Sequence, residues 1–306
     1  MPPSPSYKFV TADVFTSTRF GGNQLAVFPD ARDLDADRMA GIAREFNFSE
    51  TTFVLPPSDP KHTRRVRIFT PAGEIPFAGH PTVGTAFVLA RTGDIALTGP
   101  ETKIVFEEGV GPVPVTIRAA NGNADFAQLS VAQLPEFSPP PPPRDDIART
   151  IGLSGHDILV GDFAPEGASC GLKFLFVPVR DRETLARARP RPEEFEKVLA
   201  DWWTSKVFVF CADPELPGSH YRARMFAPLI NVSEDPATGS ACAAFGGYLG
   251  KRDARGDGTL TWRVEQGFEM GRPSILDVEV DKRGGAITGV RVGGNSVLVT
   301  RGEMFL

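Results

Sequence analysis

Three residues in this chain have the types and surroundings for proton chemistry: Glu50, His80 and Asp235. Glu50 lies between Ser49 and Thr51, where a helical pattern gives way to an apolar strand. A carboxylate partly withdrawn from water there has a raised pKa and becomes a better proton shuttle near neutrality. A solvated loop acid or a local cap is the plain alternative. His80 opens the segment His80-Pro81-Thr82. Proline suits the first helical turn, and the turn it opens offers free N–H groups and the positive end of the helix dipole. That makes a site for an anion such as a carboxylate. His80 itself suits a general acid or a hydrogen-bond donor, or a satisfied structural histidine. Asp235-Pro236-Ala237-Thr238-Gly239-Ser240 repeats the arrangement further on. There Asp235 is suited to accept from an amine or hydroxyl, or to cap the helix, and ordinary capping explains either helix start taken alone.

The repetition extends beyond these turns. Arg67-Ile68-Phe69-Thr70-Pro71 and Arg224-Met225-Phe226-Ala227-Pro228 share R-x-F-x-P, each followed by a short loop and a small-residue helix start. Phe106-Glu107-Glu108-Gly109 precedes Val264-Glu265-Gln266-Gly267 by the same interval that separates Thr82 from Ser240. A repeat of this length indicates two similar halves. Their turns carry different polar residues, which points to specialised halves that share one site.

The elements that must position these residues are mostly strands. Tyr7–Val14, Gln24–Phe28, Thr51–Leu55, Val66–Phe69, Lys103–Phe106, Val113–Arg118 and Phe126–Val131 read as strands in the first half. Asp35 is placed as an N-cap, with Met39, Ile42, Ala43 and Phe46 forming one apolar face. Thr82–Leu89 and Ala241–Leu249 are small-residue helices without a polar face, hence buried. Ser138 and the five prolines 139 to 143 form a stiff extended connector. The second half then continues with helices at Asp145–Ile151 and Pro192–Trp202 and strands at Leu172–Val179, Val207–Phe210, Leu276–Val280, Ala286–Val292 and Ser296–Thr300. The class is α+β: two pseudo-symmetric domains, each a curled sheet around one apolar helix.

Composition excludes several functions. The 306 residues are 41% hydrophobic with a net charge of −5, which gives no electrostatic case for nucleic acid or an anionic membrane. No apolar run nears the ~18 residues needed to span a bilayer. The start, Met1–Ser6, reads as a frayed tail without a signal core. Cys170, Cys211 and Cys242 are odd in number and scattered, so a disulfide framework is not expected and a cytoplasmic location is. Cys242 reads as a small buried hydrophobe, and Cys170 has no histidine beside it in sequence. The spacings give no metal site, and no dinucleotide or nucleotide-triphosphate motif is present.

Four motifs in order resemble the PhzF family of phenazine biosynthesis-like isomerases. They are Asp13-Val14-Phe15 with Phe20-x-Gly22-Asn23, Asn47-Phe48-Ser49-Glu50-Thr51, Pro76-Phe77-Ala78-Gly79-His80-Pro81-Thr82, and Asp235-Pro236-Ala237-Thr238-Gly239-Ser240-Ala241. Gln24 stands where that family usually has proline, a change to a turn more than to the chemistry. The resemblance implies a diaminopimelate epimerase-like fold of two β-barrel-like domains, 1–120 with 285–306 and 121–284, with the active site in the cleft between them. It implies a homodimer, no cofactor, and a small cyclic carboxylic acid as substrate. It places the acid–base glutamate on Glu50 and the other active-site groups on His80, Asp235 and Ser240, with Gly79 supplying main chain. Thr82, Gly239 and Asn23 complete the expected binding set, although Asn23 after two glycines also serves as a plain turn residue. Related epimerases carry a cysteine at each helix start. Ala78 and Pro236 are read at those positions here, which argues for an isomerase over a two-thiol epimerase. An amino-acid epimerase and a non-catalytic binding protein are the competing readings.

Overall fold

The computed structural model describes residues 6–306, so the frayed tail expected over Met1–Ser6 lies outside the described residues except for Ser6. The chain divides into two compact units. One runs to Ser130 and takes up Gly293–Leu306, and the other is Val131–Val292.

The first unit holds β1 (Ser6–Val14), β2 (Asn23–Phe28), α1 (Ala36–Phe46), β3 (Glu50–Leu55), β4 (Arg64–Thr70), β5 (Gly73–Ile75), α2 (Gly79–Thr92), β6 (Glu101–Glu108), β7 (Gly111–Ala120) and β8 (Asn123–Ser130). Strand β1 pairs antiparallel with β2, β2 runs parallel to β3, and β3 is antiparallel to β4. Strand β4 then pairs parallel with β6, which continues through the β6–β7–β8 meander. The last strand of the chain pairs with both β1 and β8, so the sheet closes on itself. Helix α2 lies against β1, β2, β3, β7 and β8, inside that closure. This is why it has almost no polar face: every residue from Gly79 to Leu89 is buried. The fit is close enough to exclude a methyl group at Gly84, where a Cβ would stand 2.5 Å from Val14 Cγ2 and 2.6 Å from Leu25 Cδ2. Helix α1 covers the outside with Met39, Ile42 and Ala43 against Phe28, Phe53 and Phe69, and Asp35 caps it by accepting from the Arg38 N–H.

The second unit holds β9 (Glu136–Phe137), α3 (Arg144–Thr150), β10 (Glu166–Ser169), β11 (Lys173–Pro178), α4 (Arg182–Arg187), α5 (Pro192–Leu199), β12 (Val207–Cys211), β13 (Tyr221–Ala227), β14 (Val232–Asp235), α6 (Gly239–Arg252), β15 (Gly258–Gln266), β16 (Ser274–Arg283) and the first part of β17 (Ala286–Phe305). Its sheet runs β9–β10–β11–β12–β13–β15–β16, with β11–β12 and β13–β15 parallel. Helix α6 packs on β10, β11, β15 and β16, with Phe245 and Tyr248 among Phe176, Phe208 and Phe210. The proline run is anchored to this unit: Ser138 donates its N–H to the Gly167 carbonyl, Trp202 Nε1 donates to the Pro140 carbonyl, and Pro143 precedes α3.

Two sequence expectations need correction. Ala286–Val292 and Ser296–Thr300 are one continuous strand, β17. The glycines between them do not break it, because Gly293 presses on the neighbouring strand, where a Cβ would stand 2.7 Å from the Ala127 carbonyl oxygen. The helix starts are also 160 residues apart (239 − 79), not the 158 that separate Thr82 from Ser240. The residue before each helix is therefore Ala78 and Thr238, and His80 corresponds to Ser240. The strand ends keep the 158 interval because the second half is two residues shorter from helix start to strand end, 27 (266 − 239) against 29 (108 − 79).

Candidate active site

The repeated motifs build the same scaffold in each unit. Arg67 forks onto Glu74 of β5 at 2.7 and 2.6 Å, and Arg224 onto Glu234 of β14 at 2.8 and 2.8 Å. Each guanidinium also lies over the phenylalanine two residues on, at 5.1 Å for Phe69 and 4.9 Å for Phe226. Such a planar fork fixes a carboxylate bidentately. Here it pins the short strand that delivers the chain to the helix start. Glu107 and Glu265 likewise each accept two main-chain N–H groups, from Ser58 and Asp59 at 2.8 and 2.7 Å and from Glu215 and Leu216 at 2.8 and 2.6 Å.

In the first unit this scaffold brings Glu50 and His80 together. Asn47 ends α1 in the left-handed conformation, and the chain turns directly into β3, of which Glu50 is the first residue. Glu50 lies opposite Leu25 of β2, and its Oε2 is 3.4 Å from His80 Nδ1. The two side chains are 17% and 5% exposed. Burial holds the His80 imidazole down to about 3, and a hydrogen bond to the Gln24 main chain opposes it only in part. Burial thus favours the neutral ring and its hydrogen-bonding role over an imidazolium acid. Its Nε2 is buried without a hydrogen-bond partner among the described residues. The turn before β2 is shaped to match. Phe15 and Phe20 have φ of 65° and 74°, a costly conformation for aromatic residues. The Phe20 N–H is held by the Asp13 carboxylate at 2.7 Å. Asn23 follows, almost fully buried, opposite Val14.

Both helix starts lack a side-chain cap and any acid in the first turn, so each keeps the anion-attracting character of an open helix N-terminus. In the second unit the Thr238 hydroxyl turns to Asp235 instead, donating to Oδ2 at 2.5 Å. Gln266, fully buried, donates Nε2 to the Asp235 carbonyl at 2.7 Å and to Thr238 Oγ1 at 2.9 Å, and its Oε1 accepts from the Thr238 N–H at 3.0 Å. Ser240 stands in the first turn of α6 behind Gly239, half-buried. Thr82 is fully buried, and its hydroxyl contacts the Ala78 carbonyl and Glu108 rather than open space. Glu108, Thr238 and Gln266 were not singled out as site residues from sequence. Thr238 lies within the motif Asp235-Pro236-Ala237-Thr238-Gly239-Ser240-Ala241, and the signal for the other two is the matched Glu108-Gly109 and Gln266-Gly267 pairs.

Neither Ala78 nor Thr238 offers a thiol. Burial raises the Cys170 thiol to about 12 and Cys211 to about 11, and drives the fully buried Cys242 higher still. Thiolate chemistry at neutral pH has no candidate here. Among the described residues no group of three or more His, Cys, Asp or Glu stands ready to hold a metal ion. No helix among them is long and apolar enough to cross a membrane.

Comparison with known proteins agrees with this architecture. Residues 12–302 match the family model PhzC-PhzF, described as phenazine biosynthesis-like protein. A protein of Mesorhizobium japonicum named as an uncharacterized isomerase is 40% identical over 97% of this chain and 98% of its own length. The trans-2,3-dihydro-3-hydroxyanthranilate isomerase of Pseudomonas aeruginosa is 32% identical over 98% of this chain and 100% of its own. The crystal structure of a PhzF-family phenazine biosynthesis protein from Bacillus anthracis superposes with a TM-score of 0.88, at 27% identity, covering 99% of this chain and 100% of that one. A hydroxyproline epimerase from Agrobacterium vitis shares the fold alone, with a TM-score of 0.63 at 15% identity over 98% of this chain and 93% of that one. The chain therefore belongs to the phenazine biosynthesis-like PhzC-PhzF family and is an isomerase.

Proposed function

We propose that the protein is a cofactor-independent isomerase that moves a proton within a small cyclic carboxylic acid. The observation that carries this reading is the Glu50–His80 pair, a carboxyl group 3.4 Å from an imidazole that burial keeps neutral. Glu50 as carboxylate takes a proton from a ring carbon, the electron pair left behind shifts through the conjugated system, and Glu50 returns the proton to another carbon. The net change is migration of a double bond, with no electron gained or lost. His80, through Nε2, hydrogen-bonds and polarises the substrate. Asp235 receives its amine or hydroxyl. Ser240 with the Gly239 and Gly79 main chain holds its carboxylate, as open helix starts favour. Thr82 and Asn23 support the binding groups from buried positions. The working form in this reading is a cytoplasmic homodimer.

The substrate named for the Pseudomonas aeruginosa relative, trans-2,3-dihydro-3-hydroxyanthranilate, is a cyclic amino acid of the proposed class and the first compound to try. An epimerase of the two-thiol kind is disfavoured because Ala78 and Thr238 stand at the helix starts. Incubation with cyclic unsaturated acids, followed by proton NMR, separates the outcomes. Double-bond migration supports the isomerase. Inversion at one carbon without migration supports the epimerase, and turnover of no member of the panel contradicts the proposed substrate class.

A further inference from the structure

Thr82 lies two residues beyond His80 in the first turn of α2. Its Oγ1 is 2.8 Å from the Ala78 carbonyl oxygen and 2.7 Å from Glu108 Oε1. A hydroxyl has one hydrogen and a carbonyl has none. Both contacts are full two-centre hydrogen bonds only if Thr82 donates to Ala78 and Glu108 donates to Thr82. We infer that Glu108 is held as a neutral carboxylic acid and acts as a positioning residue, fixing the helix turn that carries Gly79 and His80. Its bearing on catalysis rests on the reading of Glu50 and His80 given above.

The surroundings agree. Glu108 is 8% exposed, and its Oε2 is buried without a partner among the described residues. A carboxylate in that position would carry charge with one oxygen unsolvated and unpaired, which is costly. Burial pushes the group up to about 8, and a hydrogen bond donated by the neutral carboxyl to Thr82 is one that only the protonated form can make. The other titratable groups lining the same 420 Å³ hollow are His62, Arg65, Arg67, Glu74 and Glu107. Arg67 is taken by Glu74 and His62 faces Glu107 at 2.9 Å, while Arg65 is exposed to water. On the α2 side the nearest titratable residue in sequence is His80, itself neutral.

The second unit supplies an independent parallel. Gln266 ends β15 as Glu108 ends β6, and each precedes a glycine pressed onto a proline. A Cβ on Gly109 would stand 2.6 Å from Pro76 Cα, and one on Gly267 2.5 Å from the Pro236 carbonyl oxygen. Gln266 braces its helix start with a neutral amide that both donates and accepts. A protonated glutamic acid offers the same pair of functions, so both helix starts are braced by an uncharged donor–acceptor at a strand end.

The test compares the wild type with E108Q and E108A. A carboxyl whose pKa rises from 4.5 to about 8 on folding contributes stability that is full below pH 4.5 and is lost as pH rises to about 8. The thermal midpoint of the wild type, taken as its difference from E108Q, is expected to fall across that window and level off above it. Difference infrared spectra at pH 7 should show a protonated-carboxyl band that E108Q lacks. In turnover of a cyclic acid, folded E108A should lose about tenfold in kcat with KM little changed, the scale of one lost buried hydrogen bond. E108Q should restore most of that loss and lack the wild type's fall in midpoint between pH 4.5 and about 8. Parallel pH profiles for wild type and E108Q, or no protonated band, would overturn the protonation state. A folded E108A with wild-type kcat would overturn the positioning role. If no acid is turned over, the proposed function fails on its own, while the midpoint and infrared results still decide whether Glu108 is protonated.

Discussion

Thr238 donates to Asp235 at 2.5 Å while it receives the Gln266 amide at 2.9 Å, so the carboxylate at the start of α6 is oriented by a hydroxyl that is itself held. Removing that hydroxyl leaves the fold with a small loss and takes one orienting hydrogen bond from Asp235. Thr238→Val is expected to lower kcat/KM by about 10-fold, the worth of one hydrogen bond to a charged group, with a stability change of about 1 kcal/mol. Steady-state kinetics beside a thermal melt check this. Unchanged kcat/KM would remove Thr238 from the positioning of Asp235.

His80 is expected to stay neutral from pH 5 to pH 8. Its folded pKa of about 3 lies below the ordinary 6.5, so it contributes stability that is present above pH 6.5 and is lost as pH falls toward 3. The loss is of the order of a few kcal/mol for so buried a ring. Histidine side-chain NMR across pH 5–8 tests it directly. A titrating His80 resonance would contradict the burial argument.

The two repeated arginine forks differ in burial, so they should differ in energy. Arg224 and Glu234 are 4% and 16% exposed, whereas Glu74, the partner of Arg67, is 43% exposed. Glu234→Gln leaves a buried guanidinium without its counter-charge and is expected to cost about 3–5 kcal/mol. Glu74→Gln at the more exposed fork should cost about 1 kcal/mol or less. Denaturant unfolding of the two variants checks the order, and equal losses would contradict it.

Gly84→Ala would place a methyl carbon 2.5 Å from Val14 Cγ2 and 2.6 Å from Leu25 Cδ2. Both neighbours belong to strands that enclose α2, so neither can move freely. The expected loss is about 1–3 kcal/mol, read as a lower melting midpoint. A neutral result would show that α2 is less tightly enclosed than the structure has it.

Much of this was legible in the sequence, and what was missed has physical reasons. The small-residue runs after Ala78 and after Thr238 could only be buried helices, and the R-x-F-x-P repeats marked two copies of one scaffold. Residue type and an apolar neighbourhood singled out Glu50 and His80. Spacing gave the strands, but it could not show that Arg67 and Arg224 grip Glu74 and Glu234, because those partners lie across a turn in the next strand. Glu108 and Gln266 do their work from strand ends, through partners about 26–31 residues away in sequence, and no local pattern encodes such contacts. The helix starts are offset by two residues from the 158-residue interval between the strand ends, because the second half is shorter by two from helix start to strand end, and no local residue pattern marks that deletion. β17 was divided at Gly293, since a glycine pair looks like a break until the strand it presses against is known.

The central claim is that Glu50 moves the proton. The most direct measurement is proton NMR of the purified protein with trans-2,3-dihydro-3-hydroxyanthranilate and related cyclic acids in heavy water, beside Glu50→Gln. The account predicts double-bond migration by the wild type. It predicts loss of at least about 1,000-fold in turnover for the variant, the scale of removing a general acid–base group, with folding and ligand binding retained. Migration at near wild-type rate by a folded Glu50→Gln would contradict it.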